Sequence, residues 1–157
     1  MEDVYHAYLS LLGELNGDLD RLTELAQQKT DAIRNDDLIA LDGVLKQEQV
    51  MSLSLRGLEQ KRQKLLSQLG PEGLSLDDLF RQYPAEMQPQ AKETAAALRQ
   101  SYKIYRSTAD TARVTLERNL HEIEKFIDKA GGVPAGVAGY VQPSAEPPKN
   151  MKTDFRA

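Results

Sequence analysis

The sequence predicts an all-α protein: an antiparallel three-helix bundle or coiled coil of long helices, with a short connector helix and a mobile C-terminal tail. Three observations predict it. Apolar residues recur at alternating spacings of four and three through three long stretches, the pattern of one continuous stripe along a helix. The breaks between these stretches carry capping or helix-ending residues. Glycine and proline crowd the chain beyond Gly131, where apolar residues thin out. At 157 residues the chain is about one domain long.

The first helix is expected over about 3–34. Its heptad positions are Tyr5, Tyr8, Leu12, Leu15, Leu19, Leu22, Ala26, Lys29 and Ile33, all apolar but Lys29. Gly13 and Gly17 each cost about 1 kcal/mol against alanine without breaking the pattern. Asn35-Asp36-Asp37 then supplies a left-handed C-cap followed by an N-cap, and so short a turn makes the next helix an antiparallel neighbour. The second helix, 38–69, shows Leu41, Val44, Glu48, Met51, Leu55, Leu58, Arg62, Leu65 and Leu69 at the same spacing. Gly70-Pro71 ends it, with glycine able to take the left-handed cap and proline unable to continue the helix. A connector follows, in which Ser75-Leu76-Asp77-Asp78 resembles a capping box opening a short helix over 75–82, and Leu74, Leu76, Leu79 and Phe80 are expected to plug one end of the bundle.

The third helix, 87–130, opens between Pro84 and Pro89, where proline is tolerated in a first turn. Its stripe is the longest: Ala91, Ala95, Leu98, Tyr102, Tyr105, Ala109, Ala112, Leu116, Asn119, Ile123, Phe126 and Ala130. Helices one and two are roughly 45–50 Å long and the third roughly 60–65 Å. About ten residues of the third helix should therefore overhang at its C-terminal end, leaving Ile123, Phe126 and Ile127 facing water unless something covers them. The bundle is thus one domain, 1–130, and 131–157 is a Gly/Pro-rich tail. The scattered Val133, Val137, Tyr140, Val141, Met151 and Phe155 of that tail fit either a frayed terminus or a short docking motif.

Composition narrows the function. Charged residues make up 28% with mean hydropathy −0.54, so no window approaches a membrane span and no membrane insertion is expected. Lys+Arg 20 against Asp+Glu 24, with both signs scattered, argues against nucleic acid. The absence of cysteine excludes disulfides, thiolate zinc sites and cysteine nucleophiles. Met1-Glu2-Asp3 begins no signal peptide, which makes the cytoplasm the expected address. His6 and His121 lie far apart, no phosphate-cradling loop or nucleophile elbow occurs, and the acidic pairs Asp36/Asp37 and Asp77/Asp78 are explained by capping. No cofactor, metal or catalysis is expected.

Four polar residues interrupt the stripes: Lys29, Glu48, Arg62 and Asn119. Glu48 and Arg62 are about 21 Å apart along one helix and cannot pair with each other. Lys29, Glu48 and Arg62 either flank the seam and reach solvent or set the register between helices.

Lys29, Ala32, Ile33, Asp37, Leu41, Leu45, Glu48, Leu58, Glu59, Arg62, Leu65 and Leu66, in that order and spacing, resemble the FlgN family of flagellar export chaperones. Asn119 ahead of Leu120, Ile123 and Ile127 is similar to that family's closing helix, and the tail with Tyr140 fits as well. The resemblance implies a cytoplasmic helical chaperone of the flagellar type III secretion system. It would bind FlgK-like and FlgL-like hook-associated proteins, prevent their premature assembly and bring them to the export gate. It further implies client binding on the third helix, through Leu98, Tyr102, Tyr105, Ala109, Ala112, Leu116, Asn119, Ile123, Phe126 and Ile127. Of these, 91–109 is expected to serve mainly the bundle's own core and 116–127 the client. Tyr140 is the corresponding candidate for docking on the gate. The alternative is a homodimeric coiled-coil scaffold or adaptor that self-associates through the third helix.

Overall fold

The computed structural model describes residues 2–70 and 73–131. The tail expected beyond 131, Tyr140 included, lies outside the described residues. Four helices are present: α1 (Glu2–Arg34), α2 (Leu38–Leu69), α3 (Leu76–Arg81) and α4 (Gln88–Lys129). Among the described residues there is no strand.

The turns follow from their residues. Asp36 adopts φ 53°, the left-handed position that reverses the chain after α1. The Asp37 N–H donates to the Ala32 carbonyl at 2.9 Å and the Asp36 N–H to the Ile33 carbonyl at 3.2 Å, which satisfies the last carbonyls of α1. Asp37 serves twice, because its side chain also accepts from the Ala40 N–H at 3.0 Å and caps α2. Gly70 does not use the left-handed cap open to a glycine: it leaves α2 with φ 158° and ψ −170°, nearly extended. Ser75 caps α3, accepting from the Asp78 N–H at 3.2 Å, and α4 starts after Met87 with a proline in its first turn.

The packing centres on α1. It makes long seams with both α2 and α4, whereas α2 and α4 share no comparable seam. Their chain directions make α1 and α2 antiparallel and run α4 alongside α1. Leu25 is fully buried, and Leu19, Leu12 and Thr30 nearly so. The Thr30 hydroxyl donates to the Ala26 carbonyl at 3.1 Å, so its burial leaves no orphan donor. Ala91, Ala95 and Ala112 are the buried residues of α4, and their small side chains let it approach α1 closely.

At the lower end, Tyr8, Leu9, Leu12 and Leu15 of α1 join Leu58 and Leu69 of α2, Leu79 and Phe80 of α3, and Tyr83, Met87, Ala91 and Ala95. The Tyr5 and Tyr83 rings lie 4.3 Å apart, and Phe80 meets Tyr83 edge-on at 5.1 Å. The Tyr83 hydroxyl donates to the Tyr5 carbonyl at 3.2 Å, and burial pushes its pKa up. Leu79 and Phe80 thus plug this end with Leu76 packed against them, while Leu74 stays exposed.

Candidate functional site

Because α2 and α4 both rest on α1 without closing on each other, a groove opens between them. Its volume is about 480 Å³, room for several side chains. The floor is α1, through Leu19, Leu22, Ala26 and Lys29; one wall is α2, through Glu48, Ser52 and Leu55. The other wall is α4, through Tyr102, Tyr105, Ala109, Ala112, Arg113 and Leu116.

Floor and α2 wall are tied by an ion pair. Lys29 Nζ donates to both Glu48 oxygens, at 3.1 and 3.0 Å. The two polar interruptions of the apolar stripes therefore meet across the α1–α2 seam. Arg62 lies elsewhere and is held in its own helix, donating to Glu59 at 2.8 and 2.9 Å. That contact holds the Glu59 carboxyl below its usual range, against the opposing effect of burial. Arg62 also faces Tyr8, whose phenol is pushed up by burial and partly restored by the guanidinium.

On the α4 wall, burial raises the Tyr105 pKa, with the Glu48 carboxylate and Tyr102 adding to the rise. Tyr105 thus stays a neutral, amphipathic surface at any ordinary pH. Arg113 is occupied along its own helix by Glu117 at 3.0 Å and Asp110 at 4.0 Å.

The ten candidate binding residues of the third helix fall into three groups. Leu98 packs, partly buried, against the lower core. Tyr102, Tyr105, Ala109, Ala112 and Leu116 line the groove, with Ala112 buried at its base. Asn119 and Ile127 are half-buried, while Ile123 is 45% and Phe126 74% exposed. Leu120, 42% exposed, belongs with this last group. Since Lys29 and Leu116 share the groove, the end of α1 at Arg34 leaves about ten residues of α4 projecting past it.

The floor was the least visible part in the sequence. Leu11, Leu25 and Ala32 are buried beside the heptad positions of α1 and widen its apolar arc enough to face two helices. They stand seven and fourteen apart, a row interrupted by Asp18, and that spacing was the available signal.

Among the described residues, no group of three or more His, Cys, Asp or Glu side chains could hold a metal ion. None of the described helices is long and apolar enough to cross a membrane. The family model described as FlgN protein matches residues 1–143. No curated protein and no solved structure matches the chain.

Proposed function

The chain belongs to the FlgN family, flagellar export chaperones that bind hook-associated proteins, and from that membership we propose that its groove and the free end of α4 hold the helical termini of FlgK-like and FlgL-like clients before export. The observation that carries this reading is the continuity of one apolar track. It runs from Tyr102 in the groove through Leu116 to Ile123 and Phe126 on the projecting end of α4.

An amphipathic client helix would lie along this track with its apolar face down. Ala109 permits close backbone approach, while Tyr102, Tyr105 and Leu116 provide large anchors at the walls. Tyrosine buries much area yet keeps a polar tip, so the empty track stays compatible with water. A client helix held there cannot pair with another subunit, which prevents premature assembly. Release follows at the flagellar type III export gate, with Tyr140 the candidate residue for docking there and the cytoplasm the place of capture. The family is a chaperone family and not an enzyme family, and the mechanism needs no cofactor.

Calorimetry with the terminal helical segments of hook-associated proteins from the same organism tests the reading. Binding at micromolar affinity or tighter is expected, weakened about thirtyfold or more by Tyr105→Ala with Leu116→Ala, the loss of two anchors. Absence of binding together with a tight dimer in sedimentation equilibrium would replace it with a homodimeric scaffold that uses the same track on itself.

A further inference from the structure

α4 ends abruptly at Gly131, whose φ of 99° turns the chain out of the helix. The Ala130 N–H donates to the Phe126 and Ile127 carbonyls and the Gly131 N–H to Asp128, so the last turn is closed off. The apolar spacing does not end there. Ala130, Val133, Val137 and Tyr140 continue the same alternation of three and four that includes Ile123 and Phe126, with Val141 adjacent. No charged residue occurs between Lys129 and Glu146, in a chain that is 28% charged. A spacer needs neither feature, since polar or charged residues would serve it better.

The uncharged segment leaves the fold beside an uncovered apolar face. Leu116, Leu120, Ile123 and Phe126 are exposed on α4 immediately before the turn. Leu116 lies roughly 22 Å back along the helix from Gly131, while ten residues of extended chain reach roughly 33 Å. Tyr102, roughly 43 Å back, is beyond that reach.

We propose that residues 133–141 fold back over α4 between Leu116 and Phe126, so that the client-free chain covers part of its own client surface and a client must displace it. The Gly131-Gly132 pair is the hinge, and Val133, Val137, Tyr140 and Val141 supply the contacts. Attachment a few residues away gives the segment a millimolar effective concentration, so sub-millimolar affinity suffices to cover the face, and a micromolar client still wins. The proposal rests on the reading that this face binds clients.

The chain contains no cysteine, so Ile123→Cys places a single thiol under the proposed cover. Its alkylation by iodoacetamide is compared in the otherwise native chain and in one that also carries Val137→Asp and Tyr140→Asp. The tail substitutions should speed the reaction about threefold or more, the protection expected of a docked tethered segment. Ile104→Cys, exposed on a different side of α4, should react equally in both backgrounds. Equal rates at Ile123→Cys overturn the proposal, as does a matching acceleration at Ile104→Cys, which would mean general loosening. Protection that grows with protein concentration would give the face to a second copy and overturn it too. In calorimetry with a hook-associated terminal helix, the tail substitutions should tighten binding about threefold or more by the same reasoning. Unchanged client affinity with a protected thiol overturns the competition. Protection without client binding to either chain would instead sink the client reading and leave the fold-back standing.

Discussion

Replacing Ile123 and Phe126 together by alanine separates the chain's own core from the proposed client surface. Fully burying an isoleucine or phenylalanine side chain contributes about 1.5–3 kcal/mol. Ile123 keeps 45% and Phe126 74% of its surface exposed, so folding of the free chain draws on about half of the first contribution and a quarter of the second. The double variant should lose about 1–2 kcal/mol of stability, a fall of several degrees in Tm. The exposed remainder is what a client could bury, and it amounts to about 2–3.5 kcal/mol, or roughly thirty- to several-hundredfold in Kd. Leu25→Ala is the reference for the opposite case. Leu25 is fully buried, and its truncation should cost about 2–5 kcal/mol. Thermal melts followed by circular dichroism, paired with calorimetry against a hook-associated terminal helix, read both quantities. A melt as damaged as that of Leu25→Ala would show that the end of α4 is core. A cooperative melt with unchanged client affinity would remove Ile123 and Phe126 from the binding face.

Three further outcomes follow from local geometry. Asp36→Gly should raise stability by about 0.5–1 kcal/mol in urea denaturation, because it relieves a left-handed aspartate and removes a negative charge from the C-terminal end of α1. Lys29→Ala and Glu48→Ala should show a coupling of about 1 kcal/mol in a double-mutant cycle, since the pair is only partly exposed and doubly hydrogen-bonded; additive losses would show that it sets nothing. The lowered pKa of Glu59 means that its contact with Arg62 stabilises the fold above the usual carboxylate range and is lost as pH falls through it. Between about pH 5 and 3 the native chain should therefore lose more stability than Glu59→Gln; parallel pH profiles would contradict the sign.

Helix boundaries were legible because caps and breakers are local chemistry. Asp37 and Ser75 cap where their types and positions say they should. Gly70 could have taken a left-handed cap, but a glycine permits that turn without requiring it, and the residue is nearly extended instead. The seam on α4 was legible from periodicity alone, but its division between core and groove was not. Leu98 and Leu116 belong to the same apolar stripe, yet one packs on the lower core and the other lines the groove. What separates them is which neighbours the tertiary packing brings to each, and periodicity does not carry that. The Lys29–Glu48 pair was legible as two misplaced polar residues, and only the α1–α2 register shows that they meet.

The groove stays open because its walls do not suit each other. On α2 they offer Glu48 and Ser52 where a closed bundle would have large apolar side chains, and on α4 they offer Tyr102, Tyr105 and Arg113. Closing them would strip water from the Lys29–Glu48 pair and from Arg113, a cost that a few extra apolar contacts do not offset. The central helix can tolerate this, because α1 already makes the long seams with both α2 and α4. An open track with these ends has a definite length: Tyr102 to Phe126 spans roughly 36 Å of helix, matched by a client helix of about 24 residues. Affinity measured over a nested series of client peptides should therefore climb until about that length and then level off. A plateau near 12 residues would mean that the groove and the end of α4 are not one track, and that only one of them binds the client.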